Sequence, residues 1–179
     1  MRSSHQQVWI ISYLKAVGMK KYKNHTLQEY LKVLSQKTPT PGGGSTAALS
    51  GALGSALLCM VARYSLSRGK PKTVEQKISG VLRQCTTIQN ALLDLVDLDA
   101  QAYLAVVKAR KLNAKAKQAA LKKARQVPLK VCRLCFQAVA VAPYLVEHGN
   151  KYLLSDVEVA LDMLQAAYSG AMANVRANQ

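Results

Sequence analysis

Apolar residues recur at helical spacing along most of this chain. Leu27, Tyr30, Leu31 and Leu34 stand at i, i+3, i+4 and i+7, which predicts a first helix over 26–35. The prolines of TPTP end it, and three glycines then lead into residues 46–67, a run of small and apolar residues that reads as a second helix. There Ala47, Gly51 and Ser55 form one row and Gly54 with Leu58 another, a spacing that lets a neighbouring helix approach the backbone closely.

After a basic turn at 68–72, residues 73–110 predict one long helix with separated faces. Ile88, Leu92, Leu95, Val96, Tyr103 and Val106 make the apolar stripe, while Asn90, Asp94, Asp97, Gln101 and Lys108 make the solvated one. Asp99 is the exception, because it falls on the apolar stripe. A basic helix is expected at 114–124, and Pro128 starts or kinks the next, which runs to about residue 147 with a bend at Pro143 before HGN ends it. The last helix is announced by SDVE, with Ser155 as N-cap and Glu158 completing a capping box. One of its stripes carries Asp156, Ala160, Met163, Ala167, Asn174 and Asn178.

Composition agrees with helices. Half of the 179 residues are apolar, Ala and Leu dominate and aromatics are few, so the expected class is all-α, a helical bundle of long packed helices. Residues 19–179 form the single domain, and that length buries a core without disulfides or metals. Residues 1–18 are expected to be an N-terminal extension or an extra helix: VWIISYL is too short to span a bilayer and is read as no targeting signal, so no membrane partner is expected.

Charge changes the picture more. Twenty-five Lys and Arg against nine Asp and Glu give +16, which calls for an anionic partner. The basic run between Lys108 and Lys130 lacks the interleaved aromatics of single-strand readers, so it reads as a solvated face and nucleic acid is not the expected partner. Cys59, Cys85, Cys132 and Cys135 offer one lone CxxC without a second pair or a nearby His, so they read as buried free thiols of a reducing compartment, and no metal is expected. His5, His25 and His148 fit no triad or metal spacing, no serine lies in GxSxG, and PGGGS matches neither dinucleotide nor P-loop motif.

Chemistry therefore falls to carboxylates, amides and backbone donors. A glycine-rich turn opening a helix bares N–H groups at the positive end of the dipole, although a purely structural turn reads equally well. A carboxylate on an apolar stripe must be paired, hydrogen-bonded, protonated or aimed into a cavity, so Asp99 is the leading candidate acid. Asp156 has a competing explanation, since an acid in a first turn complements the helix dipole.

Together, TPTPGGGSTAALSGALGSALLCMV, LVDLDAQAY, VPLKV and HGNKYLLSDVEVA followed by GAMANVRAN resemble, in order and spacing, the formimidoyltetrahydrofolate cyclodeaminase family. That family includes the second domain of formimidoyltransferase-cyclodeaminase and stand-alone bacterial methenyltetrahydrofolate cyclohydrolases. The resemblance covers residues 26–178. It implies an all-helical subunit that forms a homodimer in the cytoplasm, with no permanently bound cofactor and a tetrahydrofolate derivative, polyglutamylated in some forms, as substrate. Carried onto this sequence, it makes Asp99 and Asp156 the catalytic acids, and Gly42, Gly43, Gly44, Ser45, Asn150 and Asn174 the substrate-binding residues. The implied reaction converts 5-formimidoyltetrahydrofolate to 5,10-methenyltetrahydrofolate and ammonia; the alternatives are the methenyltetrahydrofolate cyclohydrolase reaction and a non-catalytic basic binding module. Three departures stand out: Leu112 and Asn113 replace the usual Leu-Pro, the N-terminal extension is unmatched, and NVRANQ ends the chain where relatives continue into another helix, so the domain is expected to lack that helix.

Overall fold

The computed structural model describes residues 21–66 and 70–178, and the expectations for residues 1–18, for His5 and for the first two residues of the basic turn lie outside that range. Among the described residues there are helices and turns and no strand. The first helix, α1 (Leu27–Leu34), opens on a reciprocal cap: the Glu29 N–H donates to Thr26 Oγ1 at 3.1 Å, and the Thr26 N–H donates to Glu29 Oε2 at 2.8 Å. It is followed by α2 (Gly43–Ser65), α3 (Lys72–Ala109), α4 (Ala114–Val139), α5 (Ala142–His148) and α6 (Leu154–Ala177). Short 3-10 turns at Tyr22–Asn24 and Lys151–Leu153 precede α1 and α6.

The long helices α2, α3, α4 and α6 form an up-down-up-down bundle in which α2 lies against α3 and α6, and α4 closes the opposite side against the same two. The small residues of α2 make this closeness achievable. A Cβ on Gly51 would stand 3.1 Å from Cys135 Sγ, 3.2 Å from Leu92 Cδ1 and 3.4 Å from Ala167 Cβ, so one layer of the bundle closes over the missing side chain. A Cβ on Gly54 would lie 2.8 Å from the Ala160 carbonyl oxygen, so α2 and α6 meet backbone to backbone there. Leu58, Ile78, Leu92, Leu95, Leu145 and Leu164 fill the remaining interior.

The expected all-α bundle is therefore present, with local corrections. Gly43 and Gly44 belong to the first turn of α2, whose N-cap Gly42 is extended (φ −143°, ψ −160°), so the glycines begin the helix earlier than expected. Pro128 neither starts nor ends a helix: α4 runs through it and the residue is buried there, although proline inside a helix costs ~3 kcal/mol. The chain breaks instead at Ala140 and Val141, and Pro143 sits in the first turn of α5, where its missing N–H costs nothing.

Ser155 is not the N-cap of the last helix. The turn at Lys151–Leu153 runs straight into α6, so Leu153 takes the cap position without a side-chain bond and Ser155 is already helical. Leu27 and Leu31 are exposed, and of the α1 stripe only Tyr30 is fully buried. Asp97 is not solvated but 7% exposed, covered by the turn at Tyr22.

The four cysteines are free and buried, and burial pushes the Cys135 thiol up to about 12. The cations between Lys108 and Lys130 are exposed except Arg125, which is half-buried. Two stretches, Gly43–Ser65 and Ala114–His148, are long and apolar enough to cross a membrane, and the first owes that character to its central place in the bundle.

Candidate active site

The segment between α1 and α2 is fastened from three sides. Tyr22 donates its N–H to Asp97 Oδ1 at 2.6 Å, and its hydroxyl bonds Thr40 Oγ1 at 2.9 Å and reaches the Thr40 carbonyl at 3.1 Å. Thr38 donates to that same carbonyl at 3.0 Å. Beneath it, Tyr30 and Ser45 share a buried hydroxyl pair at 3.1 Å. The Thr40-Pro41 peptide bond is cis. These ties hold the glycine run against α3 near Asp97 and Asp99.

Asp99 uses that position. A Cβ built on Gly44 would fall inside the Asp99 carboxylate, so the acid rests directly on the glycine backbone at the start of α2. Burial raises the Asp99 carboxyl above its ordinary range, and the Ser45 N–H, bonded to it, opposes that rise. The result is a half-buried acid held toward its neutral form near a helix N-terminus that has no side-chain cap.

Beside this acid lies a cleft of about 280 Å³. Gly42, Gly43 and Gly44 form one wall, α3 contributes Asp99 and Tyr103, and Asn174 of α6 faces Gly43. The Asn174 Nδ2 donates to the Gly170 carbonyl at 2.9 Å, leaving its Oδ1 without a partner among the described residues. Ser45 contributes its N–H from below and does not line the cleft.

Asp156 and Asn150 are elsewhere. The Asn150 N–H donates to Ser65 Oγ at 2.8 Å, and its Oδ1 accepts from the Tyr152 N–H at 3.0 Å, which makes it the cap of a 3-10 turn. Ser65 is at the opposite end of α2 from Gly43, about 33 Å away along the helix. Asp156 lies in the first turn of α6, on that distant side. Within one chain, then, the two expected acids do not share a cleft.

Several lining residues were not anticipated as such. Tyr103 was expected in the core, yet it is 45% exposed and faces the cleft, as do Thr40 and Arg110. Tyr103 and Arg110 follow Asp99 at i+4 and i+11, so stepping along α3 from the acid would have found them. The described residues contain no group of three or more His, Cys, Asp or Glu placed to hold a metal ion.

Fold and cleft together define a class: an all-helical bundle that seats a raised-pKa carboxyl on a helix-opening glycine. The family model of formiminotransferase-cyclodeaminase matches residues 26–179, and the chain belongs to that family. It is 34% identical over 165 residues to a methenyltetrahydrofolate cyclohydrolase of Methylorubrum extorquens, covering 87% of this chain and 79% of that one. It is 30% identical over 181 residues to the formimidoyltransferase-cyclodeaminase of Gallus gallus, covering 94% of this chain but only 34% of that larger protein. Its fold is similar to the crystal structure of formiminotetrahydrofolate cyclodeaminase from Thermotoga maritima, with a TM-score of 0.84, 31% identity and coverage of 87% and 79%.

Proposed function

We propose that the chain is a folate one-carbon enzyme that closes the ring between N5 and N10 of 5-formimidoyltetrahydrofolate. N10 attacks the formimino carbon, a proton passes to the departing nitrogen, and ammonia leaves to give the 5,10-methenyl compound. The observation that carries this reading is Asp99 on Gly44, since a carboxyl held toward its neutral form beside a cleft can supply that proton. The glycine wall and Asn174 would position the substrate so that attack is intramolecular in geometry as well as in connectivity.

A second reading is favoured by the similarity to the Methylorubrum cyclohydrolase, most of whose length this chain spans. Water would then add to the methenyl carbon, ionised Asp99 would take a proton from it, and ring opening would give the 10-formyl compound. Both reactions need the same ligand and the same acid in opposite protonation states. Homodimerisation and a cytoplasmic location belong to the proposal too; exposed Leu27 and Leu31, one turn apart on α1, support the first, and the free thiols support a reducing compartment. The test offers 5-formimidoyl- and 10-formyltetrahydrofolate in parallel and follows the methenyl product by absorbance. Turnover of either identifies the activity, and turnover of neither refutes the proposal.

A further inference from the structure

Asp99 and Arg110 are the charged side chains among those lining the cleft. Tyr103 and Val106, also lining it, lie between them on α3. The spacing i, i+4, i+7, i+11 puts all four on one face, and Arg110 keeps helical backbone angles (φ −58°, ψ −24°) just past the last residue of the helix. The row therefore spans about 16 Å between the Asp99 and Arg110 Cα atoms. Arg110 is exposed, and no ion pair or hydrogen bond engages its side chain among the described residues. Its guanidinium stays charged and presents a fork of donors that matches a carboxylate.

A tetrahydrofolate has the same order of chemistry. Its reacting N5 and N10 edge calls for an acid, its p-aminobenzoyl ring is flat and largely apolar, and its glutamate ends in two carboxylates. The ring, the amide and the glutamate side chain together extend about 10 Å from N10, and the long arginine side chain reaches back over the remainder. Resting on the tetrahydrofolate reading above, the geometry points to Arg110 as a specificity-determining residue that holds the glutamate carboxylates, with Tyr103 and Val106 packing the benzoyl ring between the anchor and the acid.

The test compares each one-carbon tetrahydrofolate with a counterpart that carries a neutral N-methylamide in place of the glutamate and is otherwise identical, in both turnover and calorimetric binding. The parent protein should favour the glutamate-bearing compound in KM and in affinity by about tenfold or more, as expected for a charge-assisted fork on a carboxylate. Arg110→Gln should abolish that preference by weakening only the glutamate-bearing compound, with kcat and Tm near the parent's, and Arg110→Lys should restore part of it. Equal affinity of the parent protein for both compounds would overturn the anchor, and so would an equal loss on both in Arg110→Gln. Glutamate-dependent binding without turnover of any compound would keep the anchor and refute the one-carbon activity. Binding of neither compound would overturn both.

Discussion

The Asp99 carboxylate occupies the space that a side chain on Gly44 would fill. A glycine is required there because an acid from a neighbouring helix comes down onto its backbone. Gly44→Ala must therefore displace Asp99 or push α2 from α3, at a cost of about 1–3 kcal/mol in stability together with loss of turnover. Gly80→Ala is the contrasting change, since a Cβ there meets only the end of Arg83 at 3.9 Å. It should stabilise the helix by about 0.5–1 kcal/mol, and chemical denaturation of the two variants checks both signs.

Asp99 also makes stability depend on pH. Its folded pKa is raised by burial, so the unfolded chain releases this proton at lower pH than the folded one does. The folded state is therefore penalised progressively as pH rises from the ordinary carboxylate range through the raised value. Asp99→Asn removes the penalty and keeps an acceptor for the Ser45 N–H. The variant should be more stable than the parent at neutral pH, and the advantage should vanish in acid, as melting curves across pH would show.

The Tyr22 clamp has a different signature. Asp97 is buried, with one oxygen taken by the Tyr22 N–H and the other, Oδ2, unpaired among the described residues. Asp97→Ala strands the Tyr22 N–H and should cost about 1–3 kcal/mol, while loosening the segment that carries Thr40 toward the cleft. Asp94, whose ion pair with Lys23 is on the surface, should tolerate Asn with little change. Comparing denaturation midpoints with hydrogen exchange at residues 38–44 would separate the two aspartates.

These two aspartates also mark what periodicity can and cannot reveal. Asp99 was legible because a charge on an apolar stripe is anomalous whatever covers it. Asp97 was not, because it lies on a polar stripe and its cover comes from a three-residue turn that helical spacing does not announce. The small rows of α2 foretold its close contacts with neighbouring helices because Gly51 and Gly54 leave room whichever helix arrives. The capping box at Ser155 misled for the opposite reason: its residues are present, but the turn at Lys151–Leu153 had already begun the helix. Asp156 and Asn150 were grouped with the cleft by resemblance, and the distance of about 33 Å along α2 is a tertiary fact that no local pattern encodes.

The direction of the pH profile separates the two proposed reactions. If Asp99 donates a proton to leaving ammonia, kcat falls as pH rises through its raised pKa in the complex. If it takes a proton from water, kcat for methenyl hydrolysis rises over the same interval. Steady-state profiles for the two substrates should thus run in opposite directions, and Asp99→Asn should flatten whichever is observed.

The most direct measurement is turnover of Asp99→Asn beside its binding of 5,10-methenyltetrahydrofolate. An acid-base role predicts that kcat drops by about 100-fold or more while the variant stays folded and binds within a few-fold of the parent protein. Turnover near the parent rate in that folded, ligand-binding variant would contradict it and remove Asp99 from the chemistry.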